Sequence, residues 1–107
     1  MLLNNVIKEF LFEIKIRNYT PKTQKGYKNN NVLFHTCFSN EHSITELEEV
    51  THLHIKQYIT YLQQKGRKPT YINGILKNIR SFFEYCVYEG YVTKNHCKQV
   101  KWVKEKK

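Results

Sequence analysis

The sequence has no aspartate, two prolines, four glycines and three cysteines among its 107 residues. So little glycine and proline argues against a turn-rich β fold. An odd number of cysteines without a Cys-x-x-Cys pair supplies neither a disulfide framework nor a zinc motif. The five histidines are scattered along the chain. We therefore expect no metal site and no cofactor.

Long apolar segments are also missing. No apolar run approaches the length of a membrane-spanning helix. The N-terminus mixes acidic and amide side chains into its apolar pattern, which a signal peptide does not. We expect a cytosolic chain with reduced cysteines and no membrane partner. The length of 107 residues and the hydrophobic content of 40% are typical of one globular domain.

Negative charge is scarce, because nine glutamates stand against 18 lysines and arginines and give a formal net charge of +9. This balance predicts affinity for phosphate-rich partners, whatever the fold. Four of the glutamates lie within residues 39–50. We expect that acidic connector to face away from any nucleic acid. The tail, residues 94–107, has six lysines and one glutamate, which is typical of a linker or a basic arm.

Apolar residues at spacings of three and four predict four amphipathic helices. These cover about residues 2–17, 21–38, 52–65 and 71–89. Thr20, Thr51 and Thr70 are the predicted N-caps, and Gly66 and Gly90 are the predicted ends of the last two helices. No segment indicates a strand. The fold class predicted is therefore all-α, a compact four-helix bundle followed by a basic C-terminal tail.

Each helix has a predicted inner side. The inner positions are Leu3, Val6, Ile7, Phe10, Leu11 and Ile14 in the first helix, Thr23, Tyr27, Phe34, Cys37 and Phe38 in the second, Ile55, Tyr58, Ile59 and Leu62 in the third, and Ile72, Ile75, Leu76, Ile79, Phe82, Phe83 and Cys86 in the fourth. Asn30 and Asn31 lie close to the inner side of the second helix, where an apolar residue is more favourable.

The outer side of the fourth helix has no acidic residue before Glu84. Its residues are Thr70, Asn73, Gly74, Lys77, Asn78, Arg80 and Ser81. Small residues, amides and a few cations are typical of a helix that lies in a DNA major groove. The alternative interpretation is an ordinary solvent-exposed surface that lacks acids.

Cations also cluster at the beginning of the second helix, where Lys22, Lys25 and Lys28 occupy the first two turns. Lysine at a helix N-terminus opposes the helix dipole at a cost of some tenths of a kcal/mol. Together with free backbone N–H groups, these lysines could hold a phosphate. The alternative is that lysine is simply abundant in this chain. The short loop before the fourth helix adds Arg67 and Lys68.

Several short patterns occur in a fixed order along the chain. They are Tyr19-Thr20-Pro21-Lys22-Thr23-x-x-x-Tyr27, then Thr51-x-x-x-Ile55-x-x-Tyr58-Ile59-x-x-Leu62, then Gly66-x-x-Pro69-Thr70-x-x-Asn73-x-x-Leu76-x-x-Ile79-Arg80-Ser81-Phe82-Phe83-x-Tyr85, and finally Tyr91-Val92-x-x-Asn95. In this order the chain resembles the SAM-like N-terminal core-binding domain of tyrosine recombinases, the phage-integrase family. Members commonly have Asn-Pro at the exit, where this sequence has Asn95-His96.

The resemblance implies a helical domain that forms half of a clamp around double-stranded DNA, with the second and fourth helices facing the duplex. It implies a core-binding domain over residues 1–93 and a linker over residues 94–107 toward a C-terminal catalytic domain. That domain and neighbouring recombinase protomers on DNA are the further partners implied. The expected DNA-contacting residues are Thr20, Lys22, Thr23, Lys25, Lys28, Arg67, Lys68, Thr70, Asn73, Lys77, Asn78, Arg80 and Ser81.

Strand cleavage in this family needs a tyrosine nucleophile within a cluster of Arg, Lys and His side chains. This chain has three arginines and no His-x-x-Arg pattern. A nucleophile without cations to stabilise the transferring phosphoryl group does not react efficiently. We therefore expect the chain to be catalytically inert alone, as the DNA-binding part of a longer enzyme for DNA integration and recombination.

Two other functions fit the sequence. One is a helical protein–protein interaction module, and the other is a small helix-turn-helix DNA-binding regulator. A salt titration of duplex binding separates the interaction module from the two DNA-binding functions. The length of the native reading frame separates a recombinase, which continues well beyond Lys107, from a small regulator.

Overall fold

The structure is a computed structural model, and it describes residues 1–105. Its four α-helices are α1 (Leu3–Ile16), α2 (Pro21–His42), α3 (His52–Gln64) and α4 (Pro69–Tyr88), with short 3₁₀ turns at Leu47–Glu49 and His96–Gln99. Within residues 1–105 the only β pairing is one isolated bridge between Leu2 and Glu46. The predicted all-α class with four helices is therefore confirmed. No helix in that range is both long and apolar enough to cross a membrane.

The chain forms two compact units, Met1–Val50 and Thr51–Lys107. In the first unit α1 contacts α2, and Phe10 and Tyr27 meet edge to face with ring centroids 5.6 Å apart. Thr20 is the N-cap of α2, as predicted, because its Oγ1 accepts the N–H of Thr23 at 3.2 Å. The helix continues to His42 and ends where Ser43 adopts a left-handed backbone.

The acidic connector after α2 also contributes to the core of the first unit. Ile44, Leu47 and Val50 are buried. Backbone hydrogen bonds join the connector to the start of α1, from the N–H of Leu3 to the carbonyl of Thr45 at 2.9 Å and from the N–H of Leu47 to the carbonyl of Met1 at 2.8 Å. The connector is thus part of the folded unit and not a loose loop.

One predicted inner position of α2 is exposed, and one asparagine close to the inner side is buried. Thr23 is exposed, because its side chain takes part in the N-cap, where the hydroxyl of Thr20 donates to Thr23 Oγ1 at 2.9 Å. Asn31 is buried at 2% exposure. Its Nδ2 donates to the backbone carbonyl of Tyr27 at 2.8 Å. This local hydrogen bond satisfies part of the amide and lowers the cost of burying it.

In the second unit the predicted side of α3 is confirmed, since Ile55, Tyr58, Ile59 and Leu62 are all buried. The N–H of Thr51 donates to Nδ1 of His54 at 3.0 Å at the beginning of the helix. The helix ends where Gly66 takes a φ of 76°. The N–H groups of Gly66 and Arg67 then bond back to the carbonyls of Gln63 and Leu62 at 2.9 and 3.1 Å, which is a Schellman ending.

All seven predicted inner residues of α4 are buried. The helix begins at Pro69, and its N-cap is Lys68, so the prediction that Thr70 caps it is wrong. Proline lacks a backbone N–H and suits the first helical position, which places Thr70 within the first turn. At the other end Gly90, at φ 78°, closes the helix as predicted.

The chain after α4 packs more closely than a linker composition suggests. Cys97 and Val100 are buried at 2% and 7% exposure. Asn95 Nδ2 donates to the carbonyl of Arg80 at 3.0 Å, and Asn95 Oδ1 accepts the N–H of Cys97 at 3.0 Å. The composition of residues 94–107 is typical of a linker or a basic arm, yet Cys97 and Val100 belong to the core. The boundary between domain and linker at residue 93 stays a prediction.

Candidate nucleic-acid interface

The first group of predicted DNA contacts lies on the first two turns of α2. Lys22, Lys25 and Lys28 are exposed, and the first turn of the helix has no acidic residue. Within residues 1–105 none of these lysines forms an ion pair. Their charge is therefore available to a partner from solution, as the phosphate interpretation requires.

The backbone donors at this helix start are fewer than the sequence suggests. Pro21 has no N–H, and the N–H groups of Thr23 and Gln24 bond to the side chain and carbonyl of Thr20 at 3.2 and 2.9 Å. In the described part of the chain this leaves the N–H of Lys22 as the donor of the first turn without a hydrogen bond. Any anion here would be held mainly by lysine ammonium groups.

The second group lies on α4 and in the loop before it, within the second unit. Lys77 and Gly74 are exposed on the outer side of the helix, and Asn78 and Ser81 are half-buried. Arg67 and Lys68 in the loop are exposed. The guanidinium of Arg67 lies over the ring of Tyr71, with Cζ 5.6 Å from the ring centroid. A cation stacked on an aromatic ring is held in position and keeps its charge.

Three residues of the predicted α4 surface contact the tail. Asn73 exchanges two hydrogen bonds with the backbone of Val103, from Nδ2 to the carbonyl at 2.9 Å and from the Val103 N–H to Oδ1 at 2.8 Å. The hydroxyl of Thr70 donates to Glu105 Oε1 at 2.9 Å. The guanidinium of Arg80 lies 5.6 Å from the ring centroid of Trp102. Sequence reasoning missed this use of the α4 surface, and the one signal for it was a tryptophan in an otherwise lysine-rich tail.

The predicted contacts therefore fall into two sets, each on its own unit. Thr20, Lys22, Thr23, Lys25 and Lys28 come together on α2, and Arg67, Lys68, Thr70, Asn73, Lys77, Asn78, Arg80 and Ser81 come together on α4 and its preceding loop. That the two sets bind one duplex stays a prediction. Within residues 1–105 no group of three or more His, Cys, Asp or Glu side chains could hold a metal ion.

The groups with a perturbed pKa are not themselves among the predicted contacts. Burial raises the pKa of the Cys97 thiol to about 11, although the charge of Arg80 acts in the opposite direction. Hydrogen bonds to Glu48 and Glu46 raise the pKa of the N-terminal ammonium of Met1. A thiol with so high a pKa is not a nucleophile at neutral pH. Cys97 is therefore not a candidate nucleophile, and the exposed lysines of the two sets are the groups suited to binding an anion.

Comparison with known proteins decides the family. The family model for the phage integrase N-terminal SAM-like domain matches residues 6–92. The chain belongs to the phage integrase family. The resemblance drawn from the Tyr19 to Asn95 patterns is therefore confirmed.

Among curated relatives, the chain is 33% identical over 79 residues to the tyrosine recombinase XerC of Listeria welshimeri, covering 74% of this chain and 26% of that protein. It is 34% identical over 79 residues to XerC of Listeria innocua, with the same two coverages of 74% and 26%. With XerC of Staphylococcus carnosus it shares 27% identity over 84 residues, which is 78% of this chain and 28% of that protein. The chain thus spans about a quarter of the length of the recombinases it matches.

Solved structures show the same fold. A crystal structure of a lambda integrase (75–356) dimer bound to a COC′ core site aligns with a TM-score of 0.86 and 19% identity, over 99% of this chain and 37% of that chain. A second lambda integrase dimer bound to a COC′ core site aligns with a TM-score of 0.86 and 18% identity, over 99% and 29% of the two chains. At this identity the likeness establishes the helical fold of the integrase N-terminal domain for this chain.

Proposed function

We propose that this chain is the DNA-binding N-terminal domain of a site-specific tyrosine recombinase, which holds double-stranded DNA as half of a clamp during integration and recombination. The observation that carries the proposal is the family match over residues 6–92. The curated relatives that the chain matches are recombinases in which the matched part is 26% of the length, and lambda integrase of the same fold was crystallised on a DNA core site.

The charge distribution supports this role independently of the comparisons. The lysines of α2 are exposed without acidic neighbours in the first turn. The outer side of α4 presents Lys77 beside small and amide side chains. Cations that are not paired within the protein can neutralise phosphates and release counterions, which drives association with DNA. The proposed contacts are drawn from the thirteen residues of the two sets defined above.

Strand cleavage is assigned to a catalytic domain outside this chain. The relatives extend well beyond the matched part, since the chain covers 26% of the first of them. In this proposal the chain positions DNA, the catalytic domain cleaves and rejoins it, and neighbouring protomers meet on the same site. A cytosolic location, where the DNA is accessible, belongs to the same proposal. The chain alone would not cleave or relax DNA.

The experiment is a titration of duplex binding against salt concentration with the 107-residue chain. If Lys22, Lys25, Lys77 and Arg80 each neutralise a phosphate, these four contacts contribute about −3.6 to the slope of log affinity against log salt. Non-specific affinity of about 10⁻⁴–10⁻⁶ M is expected at physiological salt. Lys25→Ala should weaken binding equally on all sequences and reduce the steepness of the slope by about 0.9.

Lys56→Ala is the matched control, because Lys56 is an exposed lysine of α3 outside both sets and its loss changes net charge equally. It should leave the slope nearly unchanged. Amide-shift mapping with the duplex identifies the surface directly. Shifts centred on Glu46 to Glu49, or no shifts at millimolar DNA, would overturn the clamp and favour the protein–protein interaction module.

A further inference from the structure

Residues 98–105 of the tail run antiparallel along α4, from the C-terminal end of the helix toward its N-terminal end. Lys98 Nζ lies 3.5 Å from Glu84 Oε1 near the end of the helix. Further along the tail come the contacts of Trp102 with Arg80, of Val103 with Asn73, and of Glu105 with Thr70. From Lys98 onward, each contact further along the tail is thus further back in α4, down to its first turn.

The strongest of these contacts uses the whole amide of Asn73. Its donor and its acceptor both bond to the backbone of Val103, at 2.9 and 2.8 Å. This side chain therefore pairs with the tail as the peptide group of a neighbouring strand would. The same donor and acceptor are the pair that an asparagine presents to an adenine edge. Asn73 cannot contact a base in that way while Val103 is bound to it.

Freeing Asn73 for a base would require the tail to leave. That step breaks both hydrogen bonds to Val103 and pulls apart neighbouring contacts, in particular the stacking of Arg80 on Trp102. Release of the tail therefore gives up a set of contacts that the free chain already makes. A bound tail that stays in place during DNA binding avoids this cost.

The bound tail carries its own cations. Lys101 and Lys104 are exposed, whereas Val100 is buried and Trp102 and Val103 contact α4. Held in this way, the two lysines flank the residues that lie against α4. The carboxylate of Glu105 is held at the first turn of α4, where the helix dipole favours a negative charge.

We infer that Asn73 is a positioning residue that acts on DNA through the tail: it fixes Val103 against α4, so that Lys101 and Lys104 extend the cationic surface of α4 and bind DNA phosphates. This inference rests on the proposed function. It adds two phosphate contacts that the sequence patterns did not indicate. It also makes Asn73 a residue that binds the tail and does not itself contact DNA.

The test compares two ways of breaking the same contact in the 107-residue chain. Asn73→Ala removes both hydrogen bonds from the helix side. Val103→Pro removes the N–H donor from the tail side and leaves α4 unchanged, so it keeps the test informative if Asn73→Ala destabilises the helix. Val103→Ala is the matched control, because it keeps the backbone N–H. Lys101→Ala/Lys104→Ala is made in the parent and in the Asn73→Ala background.

Acrylamide quenching of the fluorescence of Trp102, the one tryptophan, reports tail release, and thermal melting confirms that each variant is folded. Binding to two duplexes of unrelated sequence is measured over a range of salt. Asn73→Ala and Val103→Pro should both release Trp102 and weaken binding equally on the two duplexes. Because two fixed lysines are lost, the salt slope should become shallower by about 1.8. Lys101→Ala/Lys104→Ala should then add little to Asn73→Ala.

Three results would overturn the inference. A loss in Asn73→Ala that differs between the duplexes, with Val103→Pro unchanged, would make Asn73 a direct base contact. Tighter binding in both variants would make the tail an inhibitory latch. Unchanged binding after tail release would remove any role for the tail. If the parent chain binds neither duplex, the proposed function itself fails, and that outcome is distinct from the other three.

Discussion

Glycine has two distinct uses in this chain. Gly66 and Gly90 have φ values of 76° and 78° and close helices in the left-handed conformation. Gly26 and Gly74 lie inside α2 and α4, and a Cβ added at either position would meet nothing within 4 Å. A helix-interior glycine costs about 1 kcal/mol relative to alanine. Folding of this chain does not require the second pair.

The same substitution should therefore have opposite effects at two positions. Gly74→Ala should raise the free energy of unfolding by about 1 kcal/mol and the melting temperature by about 4–8 °C. Gly90→Ala should lower the free energy by about 1–2 kcal/mol, because an L-residue there is strained. Thermal melting measures both. If Gly74→Ala destabilised the chain, the outer side of α4 would have to be packed and not open.

His96 gives the fold a dependence on pH. Its Nδ1 is buried without a hydrogen-bond partner among the described residues. Burial lowers the pKa of His96 below the ordinary value of 6.5, and the charges of Lys94 and His52 lower it further. The folded state thus binds this proton more weakly than the unfolded state. The corresponding stability is present above pH 6.5 and is lost as the pH falls through the folded pKa.

The melting temperature should therefore fall between about pH 7.5 and about pH 5.5, and His96→Gln should reduce that fall. Glu48 and the Met1 ammonium should contribute little to this fall, because the lowered pKa of Glu48 lies below the range and the raised pKa of the ammonium lies above it. His35→Gln, in the first unit, is the control substitution. An equal fall in the parent and in His96→Gln would exclude His96 as the cause.

Helix caps show where local sequence rules were sufficient and where they conflicted. Thr20 precedes Pro21, so the cap rule and the preference of proline for the first helical position agree. At the fourth helix Thr70 follows Pro69, and the two rules place the start one residue apart. The structure follows the proline. Giving more weight to the missing N–H would have predicted Lys68 as the cap.

At the scale of elements, the regularity of the apolar pattern decided how well each helix could be predicted. The inner sides of α3 and α4 were predicted completely, because their apolar residues recur at helical spacing without interruption. In α2, Asn31 is buried, and Thr23 is exposed because its side chain takes part in the N-cap. Both depend on hydrogen bonds that a hydrophobic pattern does not encode.

A substitution at Phe82 tests the packing of α4 directly. It is fully buried on α4, and its ring meets that of Phe83 edge to face at 5.3 Å. Phe82→Ala should lower the free energy of unfolding by about 3–5 kcal/mol through lost hydrophobic transfer and a cavity. Tyr88→Ala on the same helix is the control, because Tyr88 is 87% exposed and should change stability by less than about 0.5 kcal/mol. Similar melting of Phe82→Ala and the parent would contradict the packing described.

The tail is the element that the sequence predicted least well. Its composition indicates a linker, yet it lies along α4 through side chains far away in sequence. The pair Asn73 and Val103 is separated by 30 residues, and Thr70 and Glu105 by 35. Such pairs depend on how the chain turns back after Gly90. Local propensity contains no information on that return path.

For the whole molecule, composition predicted the kind of partner, which is an anionic one. It did not predict which residues contact that partner. A net charge of +9 indicates an anionic partner, and the family match is to DNA recombinases. The exposed lysines of α2 were identifiable from the sequence because residues 20–28 contain three lysines and no acidic residue. The assignment of Asn73 to the tail required coordinates, since an asparagine on an outer helical side has the same pattern whether it meets a base or a backbone.

The antiparallel path of the tail also has a mechanical consequence. Force applied at the C-terminal end would load the contacts in sequence, beginning with Thr70 and Glu105, then Asn73 and Val103, then Arg80 and Trp102. Contacts loaded in this order break one at a time, and they break at a lower force than contacts that share the load. A domain attached beyond the tail could therefore pull the tail free from α4 while the buried side of that helix stays folded.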